Sequence, residues 1–316
     1  MTKYSHRDNN GSILPKAGIF AAIMAVLYFG YQFLNPGKVP TSPNADPTTQ
    51  SSHPANTPDG NISPGPDDIP GTPARPEYLP SGDNGNIIQH QYYTLSYNED
   101  HEQANWVAYE LTREQLNSNH VERSDEFRSD PAISSGSATT WDYKGSGYDR
   151  GHLVPAGDRG FSETAMQETF FMSNMSPQIG PFNKGIWREL EEQTRDWARK
   201  FKRLYIVTGP VLAKRPSGTI GDNEVSVPVS YYKVLLDADD PEKKGIAFII
   251  PNDISDIPLS DFAISIDDAE RITGLDFFSR FLPAEIEKIE RKMDISLWEM
   301  DEQRYKLRVT KWNFQK

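Results

Sequence analysis

Hydrophobic and polar positions divide this chain of 316 residues into three regimes. Residues 17–34, AGIFAAIMAVLYFGYQFL, form an apolar run in which Gln32 is the only strongly polar member. Apolar positions then become sparse until residue 85 and return from Asn86 onward with two distinct periods. A strand-like pattern marks QYYTLSY (91–97) and NWVAYELT (105–112), whose aromatic and β-branched residues bracket the charged turn NEDHEQ and predict a β-hairpin. RLYIVTGP (203–210), EVSVPVSYYKVLL (224–236) and GIAFIIPN (245–252) predict further strands, each ended by Gly, Pro, Asn or Asp. A period near 3.6 marks NKGIWRELEEQTRDWARKF (183–201), where Ile186, Trp187, Leu190, Trp197 and Phe201 recur at helical spacing. PAEIEKIERKM (283–293) predicts a second helix with Ile286 and Ile289 on its inner face. Strands and helices do not alternate strictly, so 86–316 reads as one α+β domain on a sheet core rather than a doubly wound parallel sheet.

The 18-residue run gives roughly 27 Å of helix, just enough to cross a bilayer core. Lys3, Arg7 and Lys16 precede it against Asp8 alone, which places residues 1–16 in the cytoplasm and everything after Leu34 outside. A cleaved signal peptide shares the basic start and apolar stretch. The run is longer than the roughly 7–15 residues of a signal core and no A-x-A-like site follows, so a single-pass anchor at 17–34 is the preferred reading. Both readings export the remainder.

Twelve of the 24 prolines fall between residues 35 and 80, among Ser, Thr, Asn, Asp and Gly. Such a segment cannot bury enough apolar area to offset its ordering entropy, and 35–85 reads as a disordered tether. The chain has no cysteine, which excludes disulfides and leaves the exported domain to be stabilised by its core.

Charge changes the picture further. The net charge is −12, of which residues 1–84, with five Lys/Arg and seven Asp/Glu, carry −2, leaving −10 for the remainder. That balance argues against a passive polyanion binder but leaves room for an enzyme with a local basic groove. Arg195, Arg199, Lys200, Lys202 and Arg203 form the densest positive cluster, read as a solvated helix end with a substrate groove as the alternative.

The candidate chemistry lies in YDRGHLVPAGDRG (148–160), where Asp-Arg-Gly occurs twice and only the first copy is followed by a histidine, His152. Asn183 begins the first predicted helix, with Trp187 and Glu191 at i+4 and i+8, so an amide oxygen and a carboxylate can face one point. Such hard oxygens suit Mg²⁺, which keeps several waters and takes few protein ligands. An imidazole is a natural general base near neutral pH. An imidazole base, a sparsely ligated magnesium and nearby arginines describe water attack on a phosphodiester.

DRGH (149–152), SNMSPQ (173–178) and NKGIWRELE (183–191) resemble the signature of the DNA/RNA non-specific endonucleases, the endonuclease G-like ββα-metal nucleases. The resemblance extends through ANWVAYELT (104–112), RSDEFRSDP (123–131), YIVTGPVL (205–212), VPVSYYKVLL (227–236), FIIPN (248–252) and TGLDFF (273–278). It implies a ββα-metal fold with a central antiparallel sheet. His152 is then the general base and Asn183 the single protein ligand of Mg²⁺, with Mn²⁺ able to substitute. Glu191 resembles the carboxylate that holds metal-bound water, and Arg150 and Asp149 flank the base, the arginine facing phosphate. Asn174 resembles the residue that orients the site. Arg123 takes the phosphate-stabilising position, with Arg128 close enough to dispute it. The second Asp-Arg-Gly, Asp158 to Gly160, is a decoy held by local hydrogen bonds in the loop returning toward the helix. The implied activity is cleavage of DNA and RNA to 5′-phosphate and 3′-hydroxyl ends, with homodimers frequent among relatives. Two other classes remain: an inactive nuclease fold serving as an envelope binding module, and a phosphodiesterase acting on a small nucleotide or lipid headgroup.

Overall fold

A seven-stranded sheet, every pair antiparallel, forms the centre of the molecule in a computed structural model that describes residues 76–118, 120–212, 215–281 and 283–315. The strands are β1 (Asn86–Gln89), β2 (Thr94–Asn98), β3 (Gln103–Thr112), β4 (Asp149–His152), β5 (Met175–Gln178), β6 (Arg203–Pro210), β7 (Thr219–Ile220), β8 (Val225–Ser226), β9 (Ser230–Asp237), β10 (Lys244–Pro251) and β11 (Ala263–Ile264). The main sheet runs in the order β1-β2-β3-β6-β9-β10-β11, while β4-β5 and β7-β8 are separate two-stranded ribbons. The helices are α1 (Arg113–Asn117), α2 (Thr140–Tyr143), α3 (Glu163–Glu168), α4 (Arg188–Phe201), α5 (Ile266–Thr273), α6 (Pro283–Glu290) and α7 (Glu302–Thr310).

Alternation along the strands divides the core into two layers. Tyr109, Leu111, Leu204, Ile206, Tyr231, Leu235 and Phe248 point to one face, against Phe182, Ile186, Trp187, Leu190 and Trp197. Ala108, Tyr205, Val207, Tyr232, Val234 and Leu236 point to the other, against Ile266, Ala269, Phe277 and Ile286. The β4-β5 ribbon and α4 therefore lie on one side of the sheet and α5 and α6 on the other.

Several expectations change in detail. The folded domain starts before residue 86: Tyr78 is buried with its ring stacked on Tyr205 at 3.5 Å, Ser81 pairs with Asp276, and Asp83 accepts from Asn105 Nδ2 at 2.8 Å. An aromatic ring able to cover the sheet outweighs the local proline-rich composition. The expected strand 224–236 is two strands, because Pro228 has no N–H to donate to a ladder. The expected hairpin strand 91–97 begins only at Thr94. The helix expected over 283–293 ends at Glu290. The apolar run 17–34 and residues 35–75 lie outside the described residues; no helix among those described is long and apolar enough to cross a membrane.

Candidate active site

The ribbon β4-β5 brings the two halves of the sequence motif into register, with Asp149 opposite Gln178 and His152 opposite Met175. Gly151 is required by close approach: a Cβ there would lie 2.1 Å from Gln178 Cδ. After His152 the chain is gripped by Asn174, whose Oδ1 accepts from Val154 N at 2.9 Å while its Nδ2 donates to Val154 O at 3.0 Å and to Thr169 O at 2.8 Å. The same amide thus locks the backbone on both sides of the site.

His152 packs in a three-ring cluster. Phe170 meets it edge-on at 5.1 Å, Phe127 tilts against it at 5.7 Å, and the two phenylalanines meet edge-on at 5.0 Å. Each phenylalanine carries a guanidinium: Arg123 lies over Phe170 at 5.1 Å and Arg150 over Phe127 at 4.0 Å. Cation–π attraction holds both positive charges beside the imidazole, worth about 0.5–1 kcal/mol each at exposed sites. His152 Nε2 is sealed from solvent and has no protein partner. Burial first, then the charges of Arg123 and Arg150, push the imidazole down from 6.5 to about 3, with Asp125 acting in the opposite sense. The ring is therefore uncharged near neutral pH.

Asn183 stands on the far side of Asp149. Its Nδ2 donates to Asp149 Oδ2 at 3.0 Å, and Lys184 Nζ sits 3.3 Å from the same carboxylate oxygen. These residues, with Phe127, Trp141, Lys144, Tyr148 and Arg150, line an open groove of about 500 Å³. Lys144 Nζ lies 4.3 Å over the ring of Trp141, which is 72% exposed. The domain is acidic as a whole, but this groove gathers Lys144, Arg150 and Lys184 against the single carboxylate of Asp149.

The sequence profile of the DNA/RNA non-specific endonucleases matches residues 71–283, well over half of the chain. This chain belongs to the DNA/RNA non-specific endonuclease family. Nuclease C1 of Cunninghamella echinulata var. echinulata is 36% identical over 227 residues, covering 66% of this chain and 90% of that one. Mitochondrial endonuclease G of Homo sapiens is 35% identical over 203 residues, covering 60% and 68%. A chain in the crystal structure of the EndoG/EndoGI complex superposes with a TM-score of 0.59 at 33% identity, covering 64% of this chain and 89% of that one. As a member of this family the protein is a nucleic-acid hydrolase.

Within this endonuclease fold, the residues singled out by sequence do not all meet. His152, Arg150 and Arg123 share the ring cluster, and Asp149 links them to Asn183. Arg128 goes elsewhere, over Phe171 at 4.6 Å, so the geometry places Arg123 beside the imidazole. Asn174 is wholly buried and spends its amide on backbone.

The single regular helix expected over 183–201 is instead a π-type turn (Phe182–Trp187) leading into α4, with Gly185 at φ −102°, ψ −108°. The i+4 and i+8 argument for Asn183, Trp187 and Glu191 therefore fails in its details, because the wide turn re-aims Asn183 out of helical register. Glu191 lies among Lys233, Arg195 and Asp158, whose charges act on it; burial raises the Glu191 carboxyl and lowers the Lys233 amine.

The second Asp-Arg-Gly has the expected local bonds, Asp158 N to Pro155 O and Arg159 N to Ala156 O, both at 3.0 Å, and long-range ones besides: Asp158 accepts from Tyr109 OH at 2.8 Å and pairs with Arg195 at 3.0 Å. Arg159, fully buried, donates to Tyr92 O and Glu110 O and lies 4.6 Å over the Tyr109 ring. The basic cluster at the end of α4 and the start of β6 is largely neutralised, Arg195 by Asp158, Arg199 by Asp196, Lys200 by Glu299, and Arg203 by Glu110 and Asp239. Sequence reasoning missed Phe127 and Phe170 as the walls around His152, and Gln178, whose buried side-chain amide has no partner among the described residues. The only available signal was their position inside RSDEFRSDP, TFFMSN and SNMSPQ.

Proposed function

We propose that this protein is a Mg²⁺-dependent, sugar-non-specific endonuclease in which His152 is the general base. The observation that carries the reading is the buried, unpartnered Nε2 of His152 held neutral between two arginines that are themselves fixed on its aromatic walls. A neutral imidazole there takes the proton of an attacking water. Arg150 and Arg123 bind phosphate oxygens and offset the charge that grows in the transition state. Lys144 and Lys184 attract the backbone of either DNA or RNA, and exposed Trp141 offers a face on which a base can stack whatever its identity.

The donor set fits magnesium. Asn183 uses its Nδ2 on Asp149 and, among the described residues, its Oδ1 meets no donor, leaving a hard oxygen beside a carboxylate at the edge of an open groove. Asn183 would hold the ion, with Asp149 fixing the amide; Mn²⁺ shares this oxygen preference. When bound, the metal supplies charge stabilisation at the phosphate and the leaving oxygen. The apolar run 17–34 makes the protein a single-pass membrane protein with its nuclease domain outside the cytoplasm, a reading supported by the length of the run and the Lys3, Arg7, Lys16 bias.

The test is incubation of the purified protein with supercoiled plasmid and with RNA, in Mg²⁺ and in EDTA, beside His152→Ala. Metal-dependent loss of both substrates that disappears in the variant supports the assignment. Undiminished cleavage by a folded His152→Ala protein sinks the general base, and no cleavage in any divalent metal favours the binding-module reading.

A further inference from the structure

On the sheet face opposite the nuclease site, α5 and α6 bring three carboxylates to one point. Asp267 and Glu270 stand one turn apart on α5, and Glu290 is the last residue of α6. One oxygen from each lies within 4.8 Å of the other two. Asp267 and Glu270 are half-buried, whereas Glu290 is 7% exposed and its Oε1 is sealed from solvent with no hydrogen-bond partner. Glu270 Oε1 accepts from Phe277 N at 2.8 Å, which fixes that side chain in place.

Among the described residues the acidic side chains around this point outnumber the cations. Asp276 and Glu287 add to the negative potential felt by Glu270 and Glu290. The nearby cation is Arg291, 4.0 Å from Asp267, but it is 69% exposed and bound to Glu287 one turn away. Partly buried carboxylates this close cannot all stay ionised near neutral pH without a counter-charge. The neutralising species is either a proton or a metal ion.

We propose that Asp267, Glu270 and Glu290 form a calcium site that clamps α6 onto α5, separate from the ion of the nuclease site. The ligand atoms are all oxygen, with no histidine or cysteine to favour zinc. Calcium accepts irregular sets of carboxylate oxygens at about 2.3–2.6 Å, whereas magnesium demands near-ideal octahedral geometry at about 2.0–2.1 Å and gives up its waters reluctantly, so a trio of carboxylates from two separate helices suits calcium better. Ile266, Ala269 and Ile286 seat the two helices in the second core layer, away from Phe182, Ile186 and Trp187 beneath the nuclease site. The site's role is to hold α6 in place and not to take part in phosphodiester chemistry. Glu290 also lies beyond residue 283, where the family profile ends, so the clamp reaches past the matched region.

The experiment is thermal unfolding and calorimetric titration of the full chain in detergent, stripped with EDTA and then given CaCl2. Wild type is expected to bind calcium with a midpoint below millimolar and to rise in Tm by several degrees. The double variant Glu270→Gln, Glu290→Gln should unfold in EDTA at a temperature equal to or above wild type, because repulsion is removed, and should lose the calcium response. Asn183→Ala should keep it, which separates this site from the nuclease ion. The proposal is overturned if millimolar calcium leaves the wild-type Tm unchanged, if the double variant responds equally, or if wild-type Tm rises from pH 8 to pH 6 with no calcium effect, which would identify a shared proton as the neutralising species.

Discussion

Asn183 donates its amide to Asp149 at 3.0 Å, so a residue of the π-type turn that leads into α4 is oriented by the first residue of the Asp-Arg-Gly-His strand. Asp149 thereby fixes the Asn183 amide at the wall of the groove. Asp149→Ala should leave the fold intact and raise the Mg²⁺ concentration for half-maximal cleavage about 10- to 100-fold, the usual cost of losing a partner that orients a ligand. A magnesium titration of plasmid nicking checks it, and an unchanged midpoint would remove Asp149 from this role.

His152 sets the pH dependence. Its folded pKa, about 3, lies below the unfolded value near 6.5, so the neutral base persists as pH falls. The acid limb of kcat/KM should lie below about pH 5, and Arg123→Ala, by removing a repelling charge, should move it toward neutrality. The same shift has a stability consequence. Because the unfolded state binds the proton first, the contribution is fully present above about pH 6.5 and declines as pH falls toward 3, by roughly 2 kcal/mol at pH 5. Urea unfolding at pH 7 and pH 5 should show this loss in wild type and less of it in His152→Gln.

Gly151 admits no side chain. Gly151→Ala drives a methyl into Gln178 across the ribbon and must shift β4 or the Gln178 side chain. Cleavage should fall by at least about 100-fold, since a displacement near 1 Å at the reacting groups has that effect, while the Tm changes little. Wild-type kcat in this variant would show the ribbon to be more tolerant than its packing indicates.

Asp158 supports the domain rather than the chemistry. Its removal leaves Arg195 and the Tyr109 hydroxyl without their partner in a buried setting. Asp158→Ala should cost about 3–5 kcal/mol in denaturant unfolding, the penalty for breaking a buried ion pair from one side.

Lys144 and Lys184 line the groove, and phosphate contacts release counterions. Each Lys→Ala substitution should weaken DNA and RNA binding alike and reduce the slope of log affinity against log salt by roughly 0.9. Filter binding in EDTA across a salt series measures it. A loss confined to one sugar type would point to specific rather than backbone contact.

What the sequence alone determined was the chemistry carried by contiguous residues. DRGH, SNMSPQ and the start of NKGIWRELE held His152, Arg150, Asp149, Asn174 and Asn183, and alternating apolar positions foretold most of the sheet strands. Local composition was enough there because a strand's period and a short motif both reside within a few residues. Tertiary structure alone decided the rest. It set Arg123 beside His152 and Arg128 away from it by resting one guanidinium on Phe170 and the other on Phe171, rings that come from a distant turn. It opened a π-type turn at Gly185, where a Cβ would press on Asn313 from the far end of the chain. It also buried the second Asp-Arg-Gly by long-range contacts to β3 and α4. Each of these depends on which surfaces meet when the layers close, and a pairing energy between residues tens of positions apart leaves no periodic trace in the sequence.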